Sequence, residues 1–128
     1  MRALITKFFS NAVIPVIWTV ILIILLCLPG SMMPGTGIFS IEHLDKVVHV
    51  ILFGTNVVFW GWYFVNRSHP QSQNRIFLSA GFITIILGIV LEFVQLYFIP
   101  NRSFDGYDIV ADAVGAVGGT FWLFKENS

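Results

Sequence analysis

Charge is scarce in this chain. Only 11% of its 128 residues are Asp, Glu, Lys or Arg, against about a quarter in an ordinary soluble domain. That shortage excludes a conventional solvated surface. The few charges also balance, seven basic against seven acidic, so the basic surplus that nucleic-acid binding needs is missing. One cysteine, Cys27, excludes an intramolecular disulfide. Lying in an apolar run, it reads as a small core or lipid-facing residue. Internal repeats and low-complexity tracts are absent. What is abundant is apolar: 56% of the residues are hydrophobic and 16% aromatic, with a mean hydropathy of +0.83. These values describe an all-α integral membrane protein made of one domain, residues 1–128.

A spanning helix needs about 20 mostly apolar residues. Four stretches meet that length, and they predict helices over residues 8–28, 45–65, 76–99 and 107–124. Pro15 falls in the first and is expected to kink it. Pro100 stops the third. No small-x-small cleavage site follows the first apolar run, so it reads as a retained helix rather than a signal peptide. The aromatic residues gather mainly near helix ends, as interfacial anchors do. The segment "PGSMMPGTGIFSIEHL" is expected to lie along the interface.

Lys and Arg mark the cytoplasmic side. In a four-span arrangement Arg2, Lys7, Arg67, Arg75 and Lys125 share one side with Glu126, a sum of 5 − 1 = +4. Lys46 and Arg102 share the other side with Glu42, Asp45, Glu92, Asp105, Asp108 and Asp112, a sum of 2 − 6 = −4. Both termini are therefore expected in the cytoplasm.

The acidic side holds the chemistry. At about 1.5 Å per residue, His49 lies one turn inside Asp45, and Asn56 two turns deeper on the same face. Glu92 and Gln95 share a face of the third helix, as Asp108 and Asp112 share one of the fourth. His49, Glu92, Gln95 and Asp112 then fall at one depth beneath the outer interface. An Asp at the centre of a spanning helix costs about 2.5–3.5 kcal/mol, so this layer should face the bundle interior or a wet crevice. Below it, Gly115 and Gly119 form a G-x-x-x-G packing face with Gly118 alongside, and Gly81, Thr84 and Gly88 continue the Glu92 face. Helices two, three and four are expected to surround the layer, with helix one peripheral. Two cations cannot neutralise six acids, so some carboxylates must be protonated, hydrated or bound to something positive.

His49, Glu92 and Asp108 are the candidate catalytic residues. His49 and Glu92 are acid/base candidates because partly buried titratable groups are suited to proton transfer, and Asp108 would orient a partner or act as a second carboxylate. Lys46 and Arg102 suit an anionic group such as a phosphate. With Asp45, Gln95, Asp105 and Asp112 they make up the candidate binding set. A divalent metal on His49, Glu92 and Asp108 is a minor alternative, but their mixed spacing matches no metal motif, so neither a metal nor another cofactor is expected. Two other readings stay open. The layer could be a non-catalytic lock or binding element for the bundle, or a carboxylate relay in proton- or cation-coupled transport. Four helices are few for transport without a homo-oligomer.

"DKVVHVILFG" followed by "LEFVQLYFIPNRSFDGYDIVADAVGAVGG" resembles the VanZ-like family of bacterial membrane proteins. The matching positions are Asp45, Lys46 and His49; Glu92 and Gln95; Arg102, Ser103, Asp105 and Asp108; and Gly115 and Gly119. Asp112 departs from it, standing where that family typically shows asparagine, and is expected to act there as a neutral group. The resemblance implies the cytoplasmic membrane of a bacterium, a site at its outer face, and a cell-envelope context linked to glycopeptide (teicoplanin) resistance. It supplies no reaction. The expected partner is an envelope lipid or lipid-linked precursor.

Overall fold

The structure, a computed structural model, describes residues 7–27, 44–67, 70–99 and 106–126. Among these residues there are four α-helices and no strand. They are α1 (Val13–Leu26), α2 (Leu44–Val65), α3 (Gln73–Phe98) and α4 (Gly106–Glu126), with a 3₁₀ turn at Pro70–Ser72 before α3. The interfacial segment expected before α2, Arg102 and Asp105 fall outside the described residues, as does the side chain of Asp45.

α1 is shorter than its sequence suggests. It has 14 residues and begins at Val13 rather than at residue 8. The cause is local. The Asn11 side-chain oxygen accepts the Val13 N–H at 3.0 Å, and Pro15 occupies the first turn, where a missing N–H removes no intrahelical bond. Pro15 thus marks the start of the helix instead of kinking it. At about 1.5 Å per residue α1 is ~21 Å long, short of the ~30 Å hydrocarbon core. Two segments, Lys46–Val65 and Gln73–Phe98, are long and apolar enough to cross a bilayer. α4 has 21 residues, but its aspartates and glycines dilute its apolar content.

α2 and α4 run parallel and make the tightest contact in the molecule. A Cβ on Gly119 would sit 2.5 Å from the Gly54 carbonyl oxygen, and one on Gly115 would strike the Val50 carbonyl. Only glycine lets the two backbones approach so closely. The expected G-x-x-x-G face of α4 is therefore packed against α2, with Gly54 as its counterpart. Gly118 meets nothing within 4 Å. α3 runs antiparallel to both. It lays Gly81 against Thr120 and Gly88 against Asp112.

α1 lies against α2 with a wide outer face, yet it is tied to the core by polar bonds. Trp18 Nε1 donates to the Leu52 carbonyl at 3.0 Å. Thr19 Oγ1 accepts from Trp60 Nε1 at 2.8 Å and donates to Asn56 Oδ1 at 2.7 Å. Asn56 Nδ2 donates to Thr84 Oγ1 at 3.2 Å. At the end of α2 the rings of Phe9, Phe59, Trp62 and Trp122 pack together at centroid distances of 5.2–5.4 Å, edge-on or tilted. This aromatic plug joins the segment before α1 to α2 and α4.

Polar side chains share the interior with an apolar core, and the exposed surface is also apolar. His49, Asn56, Thr84, Glu92, Gln95, Asp108 and Asp112 are buried, while large hydrophobic side chains cover the outside of every helix. On α4 the exposed hydrophobic residues include Tyr107, Val110, Val114, Val117 and Phe121. These positions recur every three or four residues and form one stripe, opposite the Asp108–Asp112–Gly115–Gly119 face.

Candidate functional site

The buried carboxylates, His49 and Lys46 meet at one end of the bundle. The parallel register of α2 and α4, fixed by the glycine contact, sets Lys46 beside Asp108 and His49 beside Asp112. Lys46 Nζ lies 2.7 Å from Asp108 Oδ1. His49 Nδ1 lies 2.6 Å from Asp112 Oδ1. His49 Nε2 is turned toward Asp108 Oδ1 at 4.0 Å, beyond hydrogen-bond length. Side-chain exposure falls along this row, from 22% at Lys46 and 10% at Asp108 to 6% at His49 and 3% at Asp112. The cluster therefore opens at its Lys46 end and closes at Asp112.

Its walls explain that gradient. Asp112 is seated on α3 because Gly88 leaves room for it: a Cβ there would lie 2.8 Å from Oδ2 and 3.0 Å from the Asp112 Cβ. Phe53, one turn below His49, stacks on the imidazole with centroids 6.2 Å apart and the rings 10° from parallel. Phe53 is fully buried and belongs to an apolar cluster with Leu22, Leu26, Leu52 and Leu91. The ring of His49 is thus fixed by a carboxylate on one edge and an aromatic floor on one face.

Glu92 is buried and close enough to act electrostatically on His49. Gln95 is also buried, but its Nε2 donates to the Leu26 carbonyl. That bond satisfies one of the carbonyls left open at the end of a helix, so this amide secures α1 to α3. Among the candidate residues, the structure brings Lys46, His49, Glu92, Asp108 and Asp112 together. It gives Gln95 a tie to the end of α1.

The chemistry of the cluster follows from its bonds. In the neutral ring a proton on Nδ1, held by Asp112, leaves the Nε2 lone pair facing the open side. That is the arrangement of a base oriented by a carboxylate. The described cluster holds three carboxylates (Glu92, Asp108, Asp112) and two groups able to carry positive charge (Lys46, His49). Even a protonated His49 leaves one carboxylate in excess. Among the described residues no group of three or more His, Cys, Asp or Glu side chains is arranged to hold a metal ion.

Two features escaped the sequence reading. The pairing of His49 with Asp112 was hidden because depth alone does not say which helices face each other. Gly54 was the available signal: a glycine five residues beyond His49 marks where another backbone comes close. The Thr19–Asn56–Thr84 chain was hidden because Thr is ordinary in membrane helices.

No family model, curated protein or solved structure matches this chain.

Proposed function

We propose that this is a VanZ-like, four-span protein of the bacterial cytoplasmic membrane, with both termini in the cytoplasm. Its site at the outer face binds or transforms a lipid or lipid-linked precursor of the cell envelope. The four-span reading is supported by the apolar exposure of all four helices around a polar interior, the pattern expected of a bundle in hydrocarbon. The orientation is supported by Lys and Arg bias. Lys7, Arg67, Arg75 and Lys125 lie toward the end away from the carboxylates, and Arg67 closes that end by donating to the Ser10 carbonyl at 2.7 Å.

The observation that carries the functional reading is the row Lys46–Asp108–His49–Asp112. Lys46, at the open end, suits a phosphate of the incoming lipid. His49 Nε2 is the proton acceptor or donor, held in place by Asp112. Asp108 stands between them, able to orient a hydroxyl or water toward Nε2. The 4.0 Å between Asp108 and Nε2 is compatible with catalysis, since such contacts often tighten only when substrate is bound. A link to glycopeptide resistance follows from the VanZ-like resemblance and is part of the same proposal.

The test is a profile of membrane lipids and envelope precursors from cells with and without the gene, repeated with Asp108→Asn and His49→Ala. A species that accumulates without the gene should accumulate equally with either variant, while the protein stays in the membrane. A structural lock is the second reading, favoured by the pairing of both aspartates within the bundle. It is the better one if both variants disappear from the membrane or the profile is unchanged in all strains.

A further inference from the structure

A sizeable cavity lies away from the polar site. It is a cleft of about 640 Å³ between α1, α2 and α3, within the ~300–1,000 Å³ range of ligand pockets. None of its lining residues belongs to the His49 cluster. It begins at Arg75 near the start of α3 and follows Ser79 and Ile83 up to Leu87, with Trp60 and Asn56 on the α2 side. Twelve residues of α3 separate Arg75 from Leu87, about 18 Å of helix. That is close to the depth of one leaflet, about half of the ~30 Å hydrocarbon core.

We propose that this cleft holds one acyl chain of an anionic phospholipid, with the lipid phosphate on Arg75. The proposal rests on the membrane reading above, but not on the chemistry of the His49 site. Three observations carry it. First, the lining surface is almost wholly apolar. The polar groups of Trp60, Thr19, Asn56 and Thr84 are engaged with one another, so apart from Arg75 and Ser79 the cleft presents hydrocarbon-compatible walls. Second, among the described residues Arg75 is the only charged one lining it. Among the described residues its guanidinium has no ion-pair or hydrogen-bond partner, and a guanidinium matches a phosphate with two parallel donors. Third, the cleft's length fits a chain that starts at the interface and ends at mid-bilayer, which a small soluble solute would not fill.

The test uses the full chain reconstituted into phosphatidylcholine vesicles, with brominated lipids as quenchers. Two single-tryptophan variants are compared, one keeping Trp60 inside the cleft and one keeping Trp122, half-exposed at a separate groove between α2 and α4. Trp122 should be quenched equally by brominated phosphatidylglycerol and phosphatidylcholine. Trp60 should be quenched with about fivefold higher relative affinity by phosphatidylglycerol, the share of one arginine near an anionic headgroup. Arg75→Gln should bring that ratio to about one and keep the quenching. Ser79→Phe, at an exposed lining position, should fill the cleft and remove quenching at Trp60 only. Equal affinities at Trp60 in the otherwise native protein, or no effect of Ser79→Phe, would refute the lipid site. So would efficient disulfide linkage of two copies through Ser79→Cys, which would show that a second chain covers the cleft. Loss of quenching at Trp122 as well would instead overturn the membrane reading.

Discussion

Gly88→Ala tests the site through a residue that carries no chemistry. The added methyl would lie 2.8 Å from Asp112 Oδ2, 3.0 Å from its Cβ and 3.2 Å from its Cγ. Carbon atoms rest at about 3.5–4.0 Å, so Asp112 must retreat by roughly half an ångström or more. A side-chain rotation cannot achieve this, because the Asp112 Cβ itself is in the way. The His49–Asp112 bond is 2.6 Å and ceases to be useful beyond about 3.2 Å, so a shift of that size takes it to the edge of that range and weakens it. Overpacking costs about 1–3 kcal/mol. Leaving a buried donor without its partner costs about 1–3 kcal/mol. These two overlap, and a total near 3 kcal/mol is expected. The assay is reversible unfolding in mixed detergent, run as a double-mutant cycle with Asp112→Ala. Removing the carboxylate relieves the contacts at 2.8 and 3.2 Å, leaves the one to Cβ at 3.0 Å, and has already lost the bond. Gly88→Ala should therefore cost at least 1 kcal/mol less in the Asp112→Ala background. Additivity within about 0.5 kcal/mol would mean that Gly88 does not seat Asp112, and the proposed support of His49 would fail.

Other outcomes follow from the same contacts. Asp112→Asn should keep both stability and function, because an amide oxygen can accept the same Nδ1–H bond, whereas Asp108→Asn should keep stability and lose function; equal damage from the two in a cellular assay would mean the charge of Asp112 is itself used. Gly115→Ala and Gly119→Ala should each destabilise by about 1–3 kcal/mol, since the atoms they meet are backbone carbonyls of α2. Gly118→Ala, facing open space, should be neutral or stabilising by up to about 1 kcal/mol; equal losses at all three would refute the α2–α4 register. In a Cys27→Ser background, cysteines at Ser40 and Ser103 should react with an impermeant thiol reagent in intact cells and a cysteine at Ser68 should not, the reverse pattern inverting the topology.

The sequence by itself determined the helices and the level along them at which the polar residues gather. Long apolar runs leave the backbone no alternative to intrahelical bonds in hydrocarbon, and a fixed rise per residue turns spacing into depth. Hence α2, α3 and α4 lie within a few residues of their expected positions, and the glycine face of α4 was legible as a packing face. The start of α1 was not, because an apolar run does not show where Asn11 and Pro15 set the first turn. Pairing across helices was decided only by tertiary structure. Both His49 and Glu92 sit at the right depth to meet Asp112, and no local pattern chooses between them. The choice comes from the closest approach of α2 and α4, where Gly54, Gly115 and Gly119 hold the two backbones in one register. That register carries Asp112 to His49 and Asp108 to Lys46. It depends on which small residues face one another, a relation between distant segments that no single segment contains.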